Sequence, residues 1–314
     1  MTIPFENHLR APIIAAPMFL VSCPDLVVET CRSGLIGSFP ALNQRTSEGY
    51  SDWLSEIRDR LSGMGRADAP FAVNLVVHRS NTRLEADLAI TAAQRVPIVI
   101  TSLGIVPEVI ETVHSYGGLV FHDVINLRHA RKAAESGVDG IIAVCSGAGG
   151  HAGELSAFAF LSELRAMFDG TIILGGVMSN GAQVAAARLL GADFAYMGTR
   201  FIATQESLAP AGHKAMVVEA RADDIIYTPA VSGVHGNFLR PSFVAAGLDP
   251  DTMTAPGKLN LGTGTEIKAW KTILSAGQGV GGVGDVLPAA ELCDRLVAEY
   301  NHALESAPRL RLGA

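Results

Sequence analysis

A histidine in a glycine-rich segment is the first residue whose surroundings point to chemistry. His151 lies in the segment 146–153, where four glycines occur within seven residues. Glycines such as Gly149 and Gly150 let the backbone approach a flat ligand closely. Imidazole titrates near neutral pH, so it can remove a substrate proton or, once protonated, pair with an anion. We therefore predict that His151 is the catalytic residue.

Two glycine sites later in the chain have the character of an anion-binding site. Gly175-Gly176 and Gly198-Thr199 follow two consecutive apolar segments. Glycine leaves backbone N–H groups unobstructed, and the Thr199 hydroxyl adds a donor. A barrel of βα units commonly binds phosphate at this place, beside a helix N-terminus. We predict a phosphate site here, with Ser179-Asn180 beginning the helix.

Two side-chain amides are further candidates. Asn74 interrupts the apolar segment 71–77, and an unpaired buried amide costs roughly 1–3 kcal/mol. A ring ligand with donors and acceptors would satisfy it, and a hydrogen bond to neighbouring backbone is the alternative. Gln278, in the glycine-dense run 276–284, is the second candidate. That run is predicted to be a loop.

The elements that must position these residues form a regular pattern. Continuously apolar segments, which are typical of parallel strands covered on both faces, alternate with segments of helical spacing. Several of the helical segments end at glycine. This pattern predicts a (β/α)8 TIM barrel, with an open doubly wound sheet as the alternative. The predicted strands are 12–16, 35–39, 71–77, 97–101, 118–122, 140–145, 171–174 and 193–197.

Barrel ligands bind at the carboxyl ends of the strands, which adds Ala16, Pro17 and Met18, after the first strand, to the candidate site.

Beyond the barrel, predicted over residues 1–224, the regular alternation of strands and helices stops. Residues 225–265 are rich in Gly, Pro, Ser and Thr and are predicted to be an insertion that caps the barrel mouth as a lid. Residues 266–314 contain helical patterns at 266–275 and 288–304, which we expect to pack back on the barrel.

Composition excludes several classes of protein. The formal charge of −7, without a block of Lys and Arg, argues against nucleic acid as a partner. No run reaches the roughly 18 apolar residues that cross a bilayer, so no membrane segment is expected. The four scattered cysteines predict reduced thiols and a cytoplasmic location. A homo-oligomer is compatible with the sequence.

Motifs of other enzyme classes do not occur in the chain. HExxH, GxSxG and GxxxxGK[ST] are absent from the sequence, as is a Cys/His cluster with metal-ligand spacing. We therefore expect no metal site, no serine hydrolase chemistry and no nucleotide triphosphate chemistry.

The motifs together resemble a known family, the FMN-dependent nitronate monooxygenases, formerly called 2-nitropropane dioxygenases. They occur in family order and extend over nearly the whole chain. The matching segments are Ala16-Pro17-Met18, 71–75, Ala148-Gly149-Gly150-His151-Ala152-Gly153, 174–177, 191–193, Met197-Gly198-Thr199-Arg200-Phe201 and 275–279.

The resemblance implies an enzyme that binds FMN non-covalently. The ring system would lie against Ala16, Pro17 and Met18, with Asn74 at its polar edge and the phosphate held by the predicted glycine sites. The histidine matching His151 is catalytic in the family. The implied reaction oxidises an alkyl nitronate, a small-molecule substrate, with O2 to a carbonyl compound and nitrite.

The same motifs also resemble two other FMN enzymes, the FabK-type enoyl-acyl carrier protein reductases and an NAD(P)H:quinone reductase. An NAD(P)H-dependent reductase acting on quinones or enoyl thioesters is therefore the alternative function, and a flavin-free phosphometabolite-binding barrel is another. One departure is visible, because some relatives carry Lys near the flavin pyrimidine where this chain has Asp123. A carboxylate there would not stabilise a reduced flavin anion as an ammonium would.

Overall fold

The computed structural model describes residues 4–62, 69–254 and 272–310. Within these ranges the chain forms strands that we number in chain order. They are β1 (Ile13–Ala15), β2 (Ser38–Pro40), β3 (Ala72–Val76), β4 (Ile98–Ser102), β5 (Leu119–Val124), β6 (Gly140–Val144), β7 (Gly150–His151), β8 (Thr171–Gly175), β9 (Phe194–Met197), β10 (Ile225–Thr228) and β11 (Gly236–Leu239).

Eight of these strands form one parallel sheet in the order β1-β9-β8-β6-β5-β4-β3-β2. A parallel bridge between Ile14 and Ile36, just before β2, brings the first and last strands together. The sheet is therefore a nearly closed barrel. This confirms the predicted (β/α)8 architecture with all of its strands, and the open sheet is wrong.

Helices alternate with the strands and surround the barrel. They are α1 (Pro24–Arg32), α2 (Ser47–Leu61), α3 (Leu84–Ala93), α4 (Pro107–Ser115), α5 (Leu127–Glu135), α6 (Ala157–Met167), α7 (Gly181–Leu189), α8 (Thr199–Ile202), α9 (Ala211–Glu219), α10 (Arg240–Ala245) and α11 (Ala289–Ser306).

Local sequence explains where several of these helices begin and end. Thr46, Asn126, Ser156 and Asn180 are N-cap residues whose side chains accept a backbone N–H of the first turn. The ends lie at glycines with positive φ, the conformation that favours glycine. These are Gly34 (φ 78°), Gly117 (82°), Gly137 (84°) and Gly191 (100°).

Alternate residues along each strand point into the barrel. The buried interior is apolar, with Ile14, Ile36, Ala72, Ile98, Ile100, Phe121, Ile142, Ile173 and Phe194. Two positions further along four of these strands, the inward-facing residues are polar or amphipathic. They are Asn74, Ser102, Asp123 and Tyr196. Because this layer lies toward the carboxyl ends of the strands, it faces the barrel mouth.

The insertion after the barrel has more regular structure than its sequence indicated. Strands β10 and β11 pair antiparallel, and β11 also pairs with β7 in the histidine segment. The three strands form a small second sheet. Residues 255–265 of the predicted lid lie outside the described residues, and the division of the chain into barrel, lid and C-terminal region stays a prediction.

The C-terminal region packs on the barrel through one long helix. Helix α11 matches the helical pattern at 288–304 and contacts α1 and α7. Of the pattern at 266–275, only residues 272–275 are described. Within the run 276–284, Gln278–Gly282 forms a short 3-10 helix, which differs from the predicted loop. No helix in the described ranges has the length and apolar character needed to cross a bilayer.

The barrel interior generates a stability prediction. Phe121 is fully buried beside Gly140, so we expect Phe121→Ala to lower the free energy of unfolding by about 3–5 kcal/mol through lost burial and cavity formation. Phe158 on α6 is 76% exposed and serves as the matched control, for which Phe158→Ala should change stability by less than about 0.5 kcal/mol. Urea denaturation midpoints measure both variants. Equal midpoints would show that the interior assignment is wrong.

Candidate active site

The backbone of the histidine segment is held in place by the insertion. In the β7–β11 register, His151 is opposite Gly236. The Asn237 side chain donates through Nδ2 to the Ala148 carbonyl at 2.7 Å, and the Tyr227 hydroxyl donates to the Ala152 carbonyl at 2.9 Å. The position of His151 therefore depends on residues about 75 to 90 positions further along the chain.

The side chain of His151 contacts a buried hydroxyl. Its Nε2 lies 3.0 Å from Oγ of Ser232, and Ser232 donates its proton to the Val234 carbonyl at 3.2 Å. A hydroxyl has a single proton to give, so with that proton on the Val234 carbonyl the donor of the His151–Ser232 bond is Nε2–H. This tautomer places the lone pair on Nδ1. Burial lowers the pKa of His151 to about 4, so the imidazole is neutral near pH 7 and can accept a proton.

The histidine segment also packs against the C-terminal glycine run, backbone to backbone. A side-chain carbon added at Gly149 would lie 2.8 Å from the Gly277 nitrogen, which explains why glycine is needed at this position. The backbone N–H of Gln278 donates to the Gly147 carbonyl at 2.8 Å, and the backbone N–H of Gly277 donates to Oγ1 of Thr199 at 2.8 Å. The structure thus brings Gln278 and Thr199 to the segment that carries His151.

The predicted phosphate site lies on adjacent strands. Gly175 ends β8, and Gly198 follows the neighbouring β9, so the two glycine sites are side by side. Gly176 has φ 139°, and the next residue, Val177, has φ 56°, which is rare for a β-branched residue. Such backbone strain concentrates at functional loops.

The helix that the sequence predicts beside this site is α7. Helix α7 begins at Gly181, and its first amides are already used: Gln183 Oε1 accepts from Ser179 N–H at 2.7 Å, and Glu299 Oε2 accepts from Gly181 N–H at 2.7 Å. The prediction that this helix begins at Ser179-Asn180 is confirmed, because Asn180 is its N-cap residue. Its place beside a phosphate stays a prediction. The short helix α8, directly after Gly198, occupies the place where barrels of this kind bind phosphate.

The segment after β1 borders the same site. The Ala16 amide donates to the Met197 carbonyl at 3.0 Å, next to Gly198. The side chain of Met18 approaches Gly198, with its Cγ and Sδ 3.7 Å from where a glycine side-chain carbon would stand. Pro17 lies between these two residues in the chain. Ala16, Pro17 and Met18 thus adjoin the predicted phosphate loops.

Asn74 begins a hydrogen-bonded chain across three strands. Its Nδ2 donates to the Ile100 carbonyl at 3.2 Å and to Oγ of Ser102 at 2.6 Å. Ser102 in turn donates to Oδ2 of Asp123 at 2.8 Å. The predicted hydrogen bond to neighbouring backbone is therefore confirmed, and backbone and side-chain acceptors satisfy the Asn74 N–H groups. A ring ligand for its carbonyl oxygen stays a prediction.

Asp123 has a second oxygen that this chain does not use. Its Oδ1 is buried and has no hydrogen-bond partner among the described residues. Burial raises the pKa of Asp123 to about 7, against the opposing effect of the Ser102 hydrogen bond. An orphaned buried oxygen next to the barrel mouth indicates a ligand with a complementary polar edge.

Sequence reasoning missed the residues that orient the site. Ser232, Asn237 and Tyr227 lie in an insertion without periodicity, where the only signal was the β-branched and aromatic run 225–228. His122, between the inward-facing Phe121 and Asp123 of β5, points into the helix layer. Its Nδ1 lies 2.7 Å from Oγ1 of Thr101, and burial lowers its pKa to about 4.

Comparison with known proteins gives the same architecture and a family. Residues 5–299 match the family described as nitronate monooxygenase. The chain is 28% identical to a nitronate monooxygenase of Paraburkholderia phytofirmans over 94% of this chain and 93% of that protein. Among solved structures, a nitroalkane oxidase from Streptomyces ansochromogenes superposes with a TM-score of 0.83 and 25% identity over 96% of this chain and 99% of that one.

A second structural likeness concerns the fold alone. FabK from Thermotoga maritima superposes with a TM-score of 0.80, at 21% identity, over 96% of each chain. The family match extends over nearly the whole chain and includes every candidate site residue. The chain is an oxidoreductase that belongs to the nitronate monooxygenase family.

Proposed function

We propose that the protein oxidises alkyl nitronates and their parent nitroalkanes with O2, using FMN, to a carbonyl compound and nitrite. The observation that carries the proposal is the neutral imidazole of His151, fixed by Ser232 beside the glycine loops of the barrel mouth. The names of the relatives in the family support this reaction class.

The residues present fit FMN. The backbone amides of Gly175, Gly176 and Gly198 would hold the phosphate. The Thr199 hydroxyl, whose oxygen accepts from the Gly277 amide, keeps its own proton for a phosphate oxygen. The orphaned Oδ1 of Asp123 fits a group with polar atoms along one edge.

The remaining candidates would surround the ring system. Ala16, Pro17 and Met18 would form a wall on one side, with Gly149, Gly150 and Gln278 contributing from the loops that meet at the mouth. The carbonyl oxygen of Asn74 would accept a hydrogen bond from a ring N–H. Bound FMN would supply the electron acceptor, with O2 as the terminal oxidant.

His151 would act on the substrate. For a neutral nitroalkane, the Nδ1 lone pair takes the α-proton, and the Nε2–H bond to Ser232 keeps the ring oriented. For a nitronate, which has already lost that proton, no base is required. The insertion 225–265 would act as a lid, and its paired strands already hold the histidine segment.

A first prediction tests cofactor and reaction together. The purified protein should show flavin absorption bands near roughly 370 and 450 nm and release nitrite from propionate 3-nitronate in air without NAD(P)H. With nitroethane as substrate, His151→Asn should keep the bands and lower the rate by about 10²- to 10⁴-fold, because the base is lost. His302→Asn, at an exposed position on α11, is the matched control. Consumption of NAD(P)H with no action on the nitronate would establish the reductase instead.

A second prediction concerns the phosphate loops. Gly176 has φ 139°, and a side chain there would meet the Ser146 carbonyl at 3.2 Å. Gly176→Val should weaken FMN binding by about tenfold to a hundredfold, through displaced phosphate donors. Gly212 on α9 has open space around it, so Gly212→Val is the control. Fluorescence titration measures affinity, circular dichroism verifies folding, and unchanged affinity in a folded variant would remove Gly176 from the site.

A third prediction separates orientation from bulk structure. Ser232→Ala removes the acceptor that sets the His151 tautomer, so turnover of a neutral nitroalkane should fall by about tenfold, while a preformed nitronate is affected far less. Ser242→Ala removes another buried hydroxyl from the insertion and should leave the ratio of the two rates unchanged. Steady-state rates with both substrates decide the matter. Equal loss on both would show that Ser232 is only structural.

A further inference from the structure

Asp123 is a titratable group of the mouth layer, with a buried oxygen, to which the proposed reaction gives no task. It lies on β5, in the same inward-facing layer as Asn74 on β3 and Ser102 on β4. The three strands are consecutive neighbours in the barrel, so the side chains form a single row. Its position matches the place where the flavin pyrimidine is expected.

The hydrogen bonds of this row have a fixed direction. Ser102 accepts from Nδ2 of Asn74 and gives its own proton to Oδ2 of Asp123. With Oδ2 accepting the Ser102 proton, the proton of the neutral acid goes to Oδ1. Oδ1 is the buried oxygen without a partner among the described residues. Neutral Asp123 thus presents an O–H donor, next to the carbonyl acceptor of Asn74.

The surroundings of Asp123 contain little charge. On the β4 side it contacts Ser102, and on the β6 side its register partner is Ile142. From β9, Tyr196 faces it, and burial together with the nearby Asp123 charge raises the pKa of Tyr196 well above its ordinary value. Tyr196 is therefore a neutral hydroxyl at every pH of interest.

The charged groups near β5 lie on its other face. His122 points outward to the helix layer, where His129 and Lys132 of α5 further lower its pKa. Among the described residues, burial and the Ser102 hydrogen bond act on the pKa of Asp123, and no cation is among these influences. Burial consequently dominates and raises the pKa of Asp123 to about 7, so the group changes between donor and anion near neutral pH.

We propose that Asp123, oriented by Ser102 and Asn74, binds the pyrimidine edge of the flavin and takes up a proton when that flavin is reduced. This inference rests on the proposed function, because it requires bound FMN. A pyrimidinedione edge alternates carbonyl oxygens with an N–H group. The Asn74 carbonyl matches the N–H, and the Asp123 O–H matches a neighbouring carbonyl oxygen.

The proton uptake follows from charge. Two electrons and one proton convert FMN to its reduced anion, and a carboxylate beside that new negative charge is destabilised. The balanced change is FMN + Asp123–COO⁻ + 2e⁻ + 2H⁺ → FMNH⁻ + Asp123–COOH. In turnover the nitronate supplies the electrons. Asp123 thereby replaces, with a neutral donor, the cation that some relatives carry at this position.

The experiment measures the reduction potential of the bound FMN against pH, by equilibration with a redox dye and a chemical reductant. Each proton taken up per two electrons changes the potential by about 30 mV per pH unit. Between about pH 7 and 9, the wild-type holoprotein should show about 60 mV per pH unit, because Asp123 takes up the second proton. Asp123→Asn should show about 30 mV per pH unit over the same range.

Two further variants serve as a control and as a second test of the proposal. Asp59→Asn removes an exposed carboxylate from α2 and should keep the wild-type slope. Ser102→Ala removes a hydrogen bond that favours the ionised acid, so it should keep the coupling and move its onset to higher pH. This variant also tests the proposal if Asp123→Asn fails to fold. Absorbance of the reduced flavin verifies that it is anionic across the range.

The outcomes separate this inference from the proposed reaction. Bound FMN with the same slope in wild type and Asp123→Asn overturns the role of Asp123 and leaves the reaction untouched. Bound FMN with the predicted slopes but no nitrite from a nitronate supports Asp123 and overturns the reaction. A protein that binds no FMN overturns both.

Discussion

The closed parallel barrel imposes the constraint on which the site depends. In a closed ring of parallel strands every second side chain must point inward, and all carboxyl ends open on the same mouth. The lower interior is filled by apolar residues such as Ile100 and Phe121, which offer the next layer no polar partner from below. Polar side chains placed in that next layer are desolvated on one side and open to a ligand on the other. Their protonation and hydrogen bonding are therefore set by the barrel itself.

The histidine is positioned by a different principle. Its two-residue strand has too few bonds to be stable alone, and it gains order by pairing with β11 of the insertion. Backbone contact between Gly149 and Gly277 fixes the opposite side of the histidine segment. Gly277 is in turn hydrogen-bonded to the hydroxyl of Thr199, in the predicted phosphate site. The candidate catalytic residue, the insertion and the candidate anion site are thus linked by strand pairing, backbone contact and one hydrogen bond.

The sequence predicted the parts of the fold that repeat. The eight barrel strands and the glycine stops of the helices follow from periodicity and from φ preferences, which are local properties. Strands β7, β10 and β11 were not predicted, because strands of two to four residues are too short to show a period. The start of α7 at Ser179-Asn180 also follows from local sequence. The partner of its Gly181 N–H does not, since that carboxylate belongs to Glu299, 118 residues away. Ser102 became visible only in the folded barrel, where its Oγ lies 2.6 Å from Nδ2 of Asn74 on the neighbouring strand.

Desolvation shifts the pKa values of His151 and Asp123 in opposite directions, and the result is a site with little formal charge. It lowers the pKa of His151 to about 4 and raises that of Asp123 to about 7, so each group favours its neutral form. The cation nearest in sequence to the phosphate loops, Arg200, is buried and already paired with Asp285 at 2.5 Å. The phosphate of the proposed FMN would then be balanced by backbone dipoles and hydroxyl groups. Such donors would fix its position without adding a mobile charge, so the electrostatics around the reacting atoms would depend on His151 and Asp123.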